Sequence, residues 1–292
     1  MIAERMNGQI IKAVGGLYTV ETSDGVFGCK ARGIFRRQGI SPCTGDMVVI
    51  EQDCITDILP RKNMLIRPPL ANLDKLFFVL STCEPAPNLQ ILDKFLAVCV
   101  HKNIEPILVF TKIDLADAAE YMDTYRGAGF HMMTVDYTCP DTVNAVRDAL
   151  AGCLSAFTGN SGVGKSTLLN AIDARLQLET GEISQKLGRG RHTTRTTELY
   201  TLENGGKVAD TPGFSTFETD AYAMIHADDL PDCFPEFRPH FGKCKYADCR
   251  HLREPDCAVR EAVRNGDIPK SRYLSYRVML DEAMQHKEWE NK

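Results

Sequence analysis

The sequence predicts a multi-domain α/β protein: a small β-barrel, then a doubly wound sheet, then a mostly helical end. Three observations carry that prediction. Five short strand-like runs occupy residues 9–59; from Leu73 to Thr219 short apolar runs alternate with amphipathic ones; beyond that the alternation stops and Cys, His, Pro and charged residues accumulate. The expected units are residues 1–68, 69–219 and 220–292.

The barrel rests on Gln9–Ala13, Leu17–Glu21, Val26–Ala31, Asp46–Gln52 and Cys54–Leu59, separated by Gly15-Gly16, Asp24-Gly25 and the Gly39–Gly45 region. Glycine and Asp-Gly pairs are turn formers, and five strands in so short a stretch suggest an OB-fold, a frequent nucleic-acid binder. Arg67-Pro68-Pro69 reads as a linker. The doubly wound unit follows from buried strands at Leu76–Leu80, Ile107–Phe110, Met132–Val135 and Leu154–Thr158, with helices expected at Leu89–Val100, Ala116–Tyr125 and Asp141–Leu150. Strands that are apolar throughout and alternate with helices imply a parallel sheet covered on both faces. The chain closes on a helical pattern over Tyr273–Glu290.

Composition narrows the function classes. With 43% hydrophobic and 25% charged residues among 292, the chain is that of an ordinary globular protein with more than one core. Its longest apolar stretch, Leu76–Leu80, is too short for a bilayer, and Met1-Ile2-Ala3-Glu4-Arg5 offers no signal-peptide pattern, so a cytoplasmic protein without membrane association is expected. Eight of the eleven cysteines have no metal-like spacing and are expected to be reduced and mostly buried. The net charge of −5 argues against non-specific nucleic-acid binding, but its distribution does not. Lys30, Arg32, Arg36 and Arg37 form an acid-free stretch, as do Lys186, Arg189, Arg191 and Arg195. Local positive charge of this kind suits a phosphate backbone, or is simply a solvated face.

Gly159-Asn160-Ser161-Gly162-Val163-Gly164-Lys165-Ser166 satisfies G-x-x-x-x-G-K-[ST] at every fixed position, after an apolar strand and before a helix expected over Ser166–Ala174. Glycines let the backbone N–H groups curl toward phosphate oxygens at the positive end of a helix, with Thr167 next in that helix. Lys165 is expected to reach the β- and γ-phosphates, and Ser166 to ligate Mg²⁺. Downstream, Asp210-Thr211-Pro212-Gly213 ends the strand Lys207–Ala209, so Asp210 is placed to hold Mg²⁺ through water and the Gly213 N–H to sense a γ-phosphate. Between them lies Arg191-His192-Thr193-Thr194-Arg195, where Thr194 is preferred over Thr193 as a further Mg²⁺ ligand.

Thr111-Lys112-Ile113-Asp114 follows a strand in the same domain. A carboxylate at Asp114 can accept from N1–H and N2–H₂ of guanine, donors that adenine lacks, while the stem of Lys112 lies along the base. GTP is therefore the expected substrate, and a P-loop ATPase or kinase is disfavoured. In Ras-type GTPases the base motif comes after the Mg²⁺ motifs; here it comes first, a circular permutation that leaves a folded site intact. Cys244-x₄-Cys249-x-His251-x₅-Cys257 offers three thiolates and an imidazole, a closed set for one structural Zn²⁺.

Together, the barrel, the order of these three motifs and the Cys244–Cys257 cluster resemble the bacterial small ribosomal subunit biogenesis GTPases of the RsgA (YjeQ/YloQ) family over almost the whole chain. The resemblance implies GTP hydrolysis stimulated by the small (30S) subunit in its late maturation, contact with 16S rRNA, and a monomer. It also points to His192 as the group that orients water, because Phe214 stands where many GTPases carry glutamine; the other reading of His192 is contact with RNA phosphate. A non-enzyme alternative is an RNA-binding assembly factor in which nucleotide acts as a conformational lock. Two departures from the family pattern are expected to matter. Thr111 replaces the usual Asn and, being shorter, is expected to lose contact with purine and P-loop; Asp136-Tyr137 stands in for the usual Ser-Ala guanine loop.

Overall fold

The computed structural model describes residues 5–66, 68–176, 178, 197–210 and 225–290, with Asp210 and residues 286–290 described by backbone alone. Strands β1 (Arg5–Val14), β2 (Leu17–Thr22), β3 (Gly25–Ala31), β4 (Met47–Glu51) and β5 (Cys54–Ile58) form the expected barrel. Neighbours run β1-β2-β3-β5-β4, with β3 and β5 parallel, and β4 returns to β1 to close it. The period-2 pattern explains the interior: Ile10, Val20, Cys29, Val48, Ile50 and Ile55 are all buried there, joined by Phe35 of a short helix, α1 (Gly33–Arg37).

At Arg67-Pro68-Pro69, expected as a linker, the flanking strands β6 (Met64–Ile66) and β7 (Pro69–Ala71) pair antiparallel, and Leu70 bridges to Thr44 of the barrel. Gly45 shows why the approach is close: at φ +90° its Cβ would lie 2.1 Å from the Ala71 carbonyl oxygen, so only glycine fits. Beside it, the buried Asp46 carboxylate accepts two bonds from Arg61, at 2.6 and 2.8 Å.

The central unit comprises β8 (Lys75–Ser81), α2 (Leu89–His101), β9 (Glu105–Thr111), α3 (Ala119–Arg126), β10 (His131–Thr134), α4 (Pro140–Ala149), β11 (Leu154–Thr158), α5 (Lys165–Ile172), β12 (Glu198–Thr201) and β13 (Lys207–Asp210). Its strand order is β10-β9-β8-β11-β13-β12, parallel except for β12. Successive β8 side chains point to opposite faces. Leu76, Phe78 and Leu80 pack with Leu92, Phe95 and Leu96 of α2 and Tyr125 of α3, whereas Phe77 and Val79 pack with Val143 and Val146 of α4 and Leu168 and Ile172 of α5. The sheet continues past β12: β1 of the barrel pairs antiparallel with it, Lys12 opposite Glu198, giving eleven strands in one sheet among the described residues. The sequence offers no sign of this join.

Short 3₁₀ turns at Pro231–Cys233 and Pro235–His240, then α6 (Ala258–Asn265) and α7 (Lys270–Glu290), make the C-terminal unit. Phe234, Phe237, Tyr276 and Leu280 form its core together with Ala97 and Val98 from α2. Thus α2 presents one face to the sheet and another to this unit. A buried Arg272 locks the joint: it bonds Asp93 of α2 at 2.7 Å and both Glu236 oxygens at 2.7 and 3.2 Å, and Tyr125 donates to the same Asp93 oxygen at 2.9 Å.

The cysteines without metal-like spacing are free thiols. Their burial differs from expectation. Cys29, Cys43, Cys99 and Cys233 are buried, but Cys54, Cys83 and Cys153 are half-buried and Cys139 is exposed, because the last two lie at loop and helix ends rather than in strand interiors.

Candidate nucleotide site and cysteine cluster

In a parallel sheet the loops that leave the carboxyl ends of the strands share one edge, and ligands bind where neighbouring connections diverge. Here that edge carries Thr82 after β8, Lys112–Asp114 after β9, Asp136 after β10, Gly159–Gly164 after β11 and Asp210 at the end of β13. The divergence falls between β8 and β11, which puts the P-loop beside the loop after β8.

Gly162 and Gly164 adopt φ of +81° and +94°, left-handed positions that glycine occupies without cost. A Cβ on Gly159 would lie 2.4 Å from the Val79 carbonyl oxygen, so the loop starts tight against β8. Gly164 is the N-cap of α5, and Lys165, Ser166 and Thr167 form its first turn, whose N–H groups have no intrahelical acceptor. Val163 is buried under the loop; Asn160, Lys165 and Ser166 are half-buried, and Ser161 and Thr167 exposed.

Thr111 is almost fully buried, and its hydroxyl lies 2.6 Å from the Val163 carbonyl oxygen. The expected loss of contact with the P-loop therefore does not occur: Val163 presents its carbonyl to the shorter side chain. Lys112 turns the chain at φ +58°, and Leu115 N–H closes the following turn on Lys112 O at 3.0 Å. That turn leaves Asp114 exposed at the edge of an open depression of about 550 Å³. Lys112 Nζ bonds the Glu84 carbonyl oxygen at 2.5 Å. The loop 82–88 belongs to none of the sequence motifs.

Asp136 accepts from the Thr138 N–H and hydroxyl at 2.8 and 2.7 Å, bonds that hold its carboxyl below the usual range. The Asp136 N–H is taken by the Thr142 hydroxyl at 3.0 Å. Tyr137 leans toward the P-loop, its hydroxyl 3.7 Å from where a Cβ on Gly164 would be, and burial raises its phenol pKa. His192, Thr193, Thr194, Gly213 and Phe214, with the basic residues Lys186, Arg189, Arg191 and Arg195, lie outside the described residues, as does the Asp210 side chain.

In the C-terminal unit the ligand atoms of Cys244, Cys249, His251 and Cys257 all lie within 4.8 Å of one another, a set able to hold a metal ion. His251 Nδ1 faces the three sulfurs at 3.6, 3.5 and 3.4 Å. Its backbone is left-handed at φ +60°, and Tyr273 Oη bonds its carbonyl at 2.7 Å. Phe241 stacks on the ring. Burial lowers the His251 pKa and pushes the Cys249 thiol up to about 12.

A P-loop on a doubly wound sheet whose base motif precedes it in the chain is the layout of a circularly permuted P-loop GTPase. Comparison with known proteins agrees. A family profile described as RsgA GTPase matches residues 58–220, and one described as RsgA N-terminal domain matches residues 7–57. The chain is 43% identical to a small ribosomal subunit biogenesis GTPase RsgA from Geobacillus thermodenitrificans, over 96% of this chain and 98% of that protein. It is 40% identical to its namesake from Caldanaerobacter subterraneus, over 96% of each. The crystal structure of YjeQ from Thermotoga maritima superposes with a TM-score of 0.79 at 32% identity, over 96% of this chain and 99% of that one. That of YloQ, described as a circularly permuted GTPase, gives 0.77 at 34%, over 97% and 96%. The chain belongs to the RsgA GTPase family.

Proposed function

We propose that this protein hydrolyses GTP in a cycle stimulated by the small ribosomal subunit, acting late in 30S maturation, binding rRNA and leaving after hydrolysis. The observation that carries the reading is the Thr111–Val163 hydrogen bond, which joins base motif to P-loop although their order in the chain is inverted.

The P-loop N–H groups and Lys165 bind the phosphates, Asp114 accepts from the guanine edge, and the Tyr137 N–H is assigned its O6. Ser166 and Asp210 supply hard oxygen donors from α5 and from β13, next to β11, a chemistry that suits Mg²⁺, with Thr194 as the third. When bound, the ion neutralises charge developing on the phosphates. His192 is assigned the orientation of the attacking water.

The Cys₃His cluster is assigned one structural zinc. Zn–S bonds of about 2.3 Å and Zn–N of about 2.0 Å in a tetrahedron require S···S edges of about 3.8 Å and S···N edges of about 3.5 Å. The cluster has 3.9 Å between Cys244 and Cys257 sulfurs and 3.4–3.6 Å to His251 Nδ1. Four protein ligands leave no position for a catalytic water. Exposed Lys30, Arg32, Arg36 and Arg37 on the barrel are assigned to rRNA phosphate, and the protein is taken to act as a monomer. Among the described residues no helix is long and apolar enough to cross a membrane.

The deciding experiment is GTP turnover with and without purified small subunits. Stimulation is expected. A rate indifferent to the subunit, with subunit binding still dependent on nucleotide, would favour a conformational lock instead.

A further inference from the structure

We infer that Thr82, outside every nucleotide motif, positions the turn that reads guanine. The inference rests on Asp114 being the guanine acceptor and adds the residue that aims it.

Strands β8 and β9 pair up to Ser81 opposite Thr111. One residue further Thr82 N–H still reaches the Thr111 carbonyl, at 3.1 Å, but the partner chain then swings away at Lys112. A non-glycine residue in that left-handed conformation costs on the order of 1 kcal/mol, so something must hold it there. The Lys112 carbonyl oxygen is the hub. It accepts from Leu115 N–H at 3.0 Å and more weakly from Ala116 N–H at 3.4 Å, the bonds that define the turn, and from the Thr82 hydroxyl at 2.8 Å. The hydroxyl has a single proton; its distance to the Thr111 carbonyl is 3.2 Å, so Lys112 is the better acceptor.

Thr82 is 7% exposed, its backbone N–H tied to β9 at the strand end. The same loop holds the Lys112 side chain through the Glu84 carbonyl and sets Pro85 against Gly162, whose Cβ would be 3.8 Å from Pro85 Cδ. Asp114 has no such support of its own: among the described residues none bonds its exposed carboxylate. Its direction is therefore the direction of the 112–115 turn, and the fixed end of that turn is the Lys112 carbonyl. A role limited to satisfying a buried carbonyl does not account for the hydroxyl, since Leu115 N–H already satisfies that oxygen.

Discrimination by a two-point acceptor needs its geometry held within a few tenths of an ångström. Loosening the turn should therefore weaken the contact to the guanine 2-amino group more than contacts to phosphate. IDP lacks that amino group and reports on it. The experiment measures affinities of wild type, Thr82→Val and Thr82→Ser for GDP, IDP and ADP in Mg²⁺, with thermal melting as the folding control. Valine keeps the shape and removes the proton; serine restores it.

The expected result is a loss of about five- to tenfold in GDP affinity for Thr82→Val, the size of one net hydrogen bond. The loss for IDP should be smaller, contracting the GDP/IDP ratio, and Thr82→Ser should recover both. Equal losses for GDP and IDP, or no loss in a folded Thr82→Val, would overturn the role of Thr82 while leaving Asp114 as the reader. Wild-type protein that binds ADP as well as GDP would overturn the base assignment itself, and this inference with it.

Discussion

Lys12 and Glu198 face each other across β1 and β12, with Nζ 2.6 Å from Oε2, at a register pair that fuses the barrel to the central sheet. Around them Lys207 Nζ bonds Gln9 Oε1 at 2.8 Å and also pairs with Glu21, and the Thr44 hydroxyl bonds the Thr197 carbonyl at 3.0 Å. The strand so gripped begins three residues after Arg195, the end of the segment that carries His192 and Thr194, and leads by way of β13 into Asp210. Replacing Lys12 and Lys207 together by alanine should cost about 1–2 kcal/mol of stability, two partly buried pairs at the upper end of surface values. Urea unfolding measures it, and an unchanged midpoint would mean that backbone pairing alone holds the joint.

Arg272 places one guanidinium between Asp93 and Glu236 in a buried joint, stacked 4.7 Å from the Phe234 ring centre. Removing the cation leaves two buried carboxylates uncompensated, so Arg272→Ala should destabilise by about 3–5 kcal/mol. Arg272→Lys should rescue little, because a point charge cannot bond both carboxylates in the same fork. A melting temperature close to wild type in either variant would contradict this account of how the C-terminal unit is fixed to α2.

For the cysteine cluster, the purified protein should carry one zinc per chain, and Cys249→Ala should lose most of it. Because the cluster lies in a core formed by Phe234, Phe237 and Tyr276, metal loss should raise hydrogen exchange across α6 while GDP still binds. Stoichiometric zinc in the variant would remove Cys249 from the ligand set.

On the barrel, Arg36 and Arg37 are exposed at the end of α1, with no acid in that helix. Arg36→Ala with Arg37→Ala should weaken subunit binding and reduce the slope of log K against log salt by about two, one per lost phosphate contact. An unchanged slope would exclude this face from the RNA contact.

Legibility in the sequence follows the range of the forces involved. The barrel strands and β8, β9 and β11 could be read because inward alternation and unbroken apolar runs are local patterns. The P-loop could be read because its glycines answer a local backbone demand, visible at Gly162 and Gly164. By contrast, β12 is a four-residue strand with Leu199 its one buried side chain, too short for a pattern, and while β13 follows it closely, its other partner, β1, is remote in the chain. The adequacy of Thr111 depends on where the Val163 carbonyl falls, fifty-two residues away. Arg272 looks like any surface arginine of an amphipathic helix until Asp93 and Glu236 are brought to it.

The most direct test of the account is the nucleotide preference of Asp114→Asn. On the proposed function, the Lys112–Leu115 turn, though it precedes the P-loop in sequence, reads the base of the nucleotide bound there. An amide at position 114 presents a donor that suits O2 of xanthine and repels the guanine amino group, so the variant should bind XDP and hydrolyse XTP in preference to the guanine nucleotides, whereas wild type prefers GDP and GTP. An Asp114→Asn protein that keeps the wild-type preference for GDP over XDP would contradict the claim.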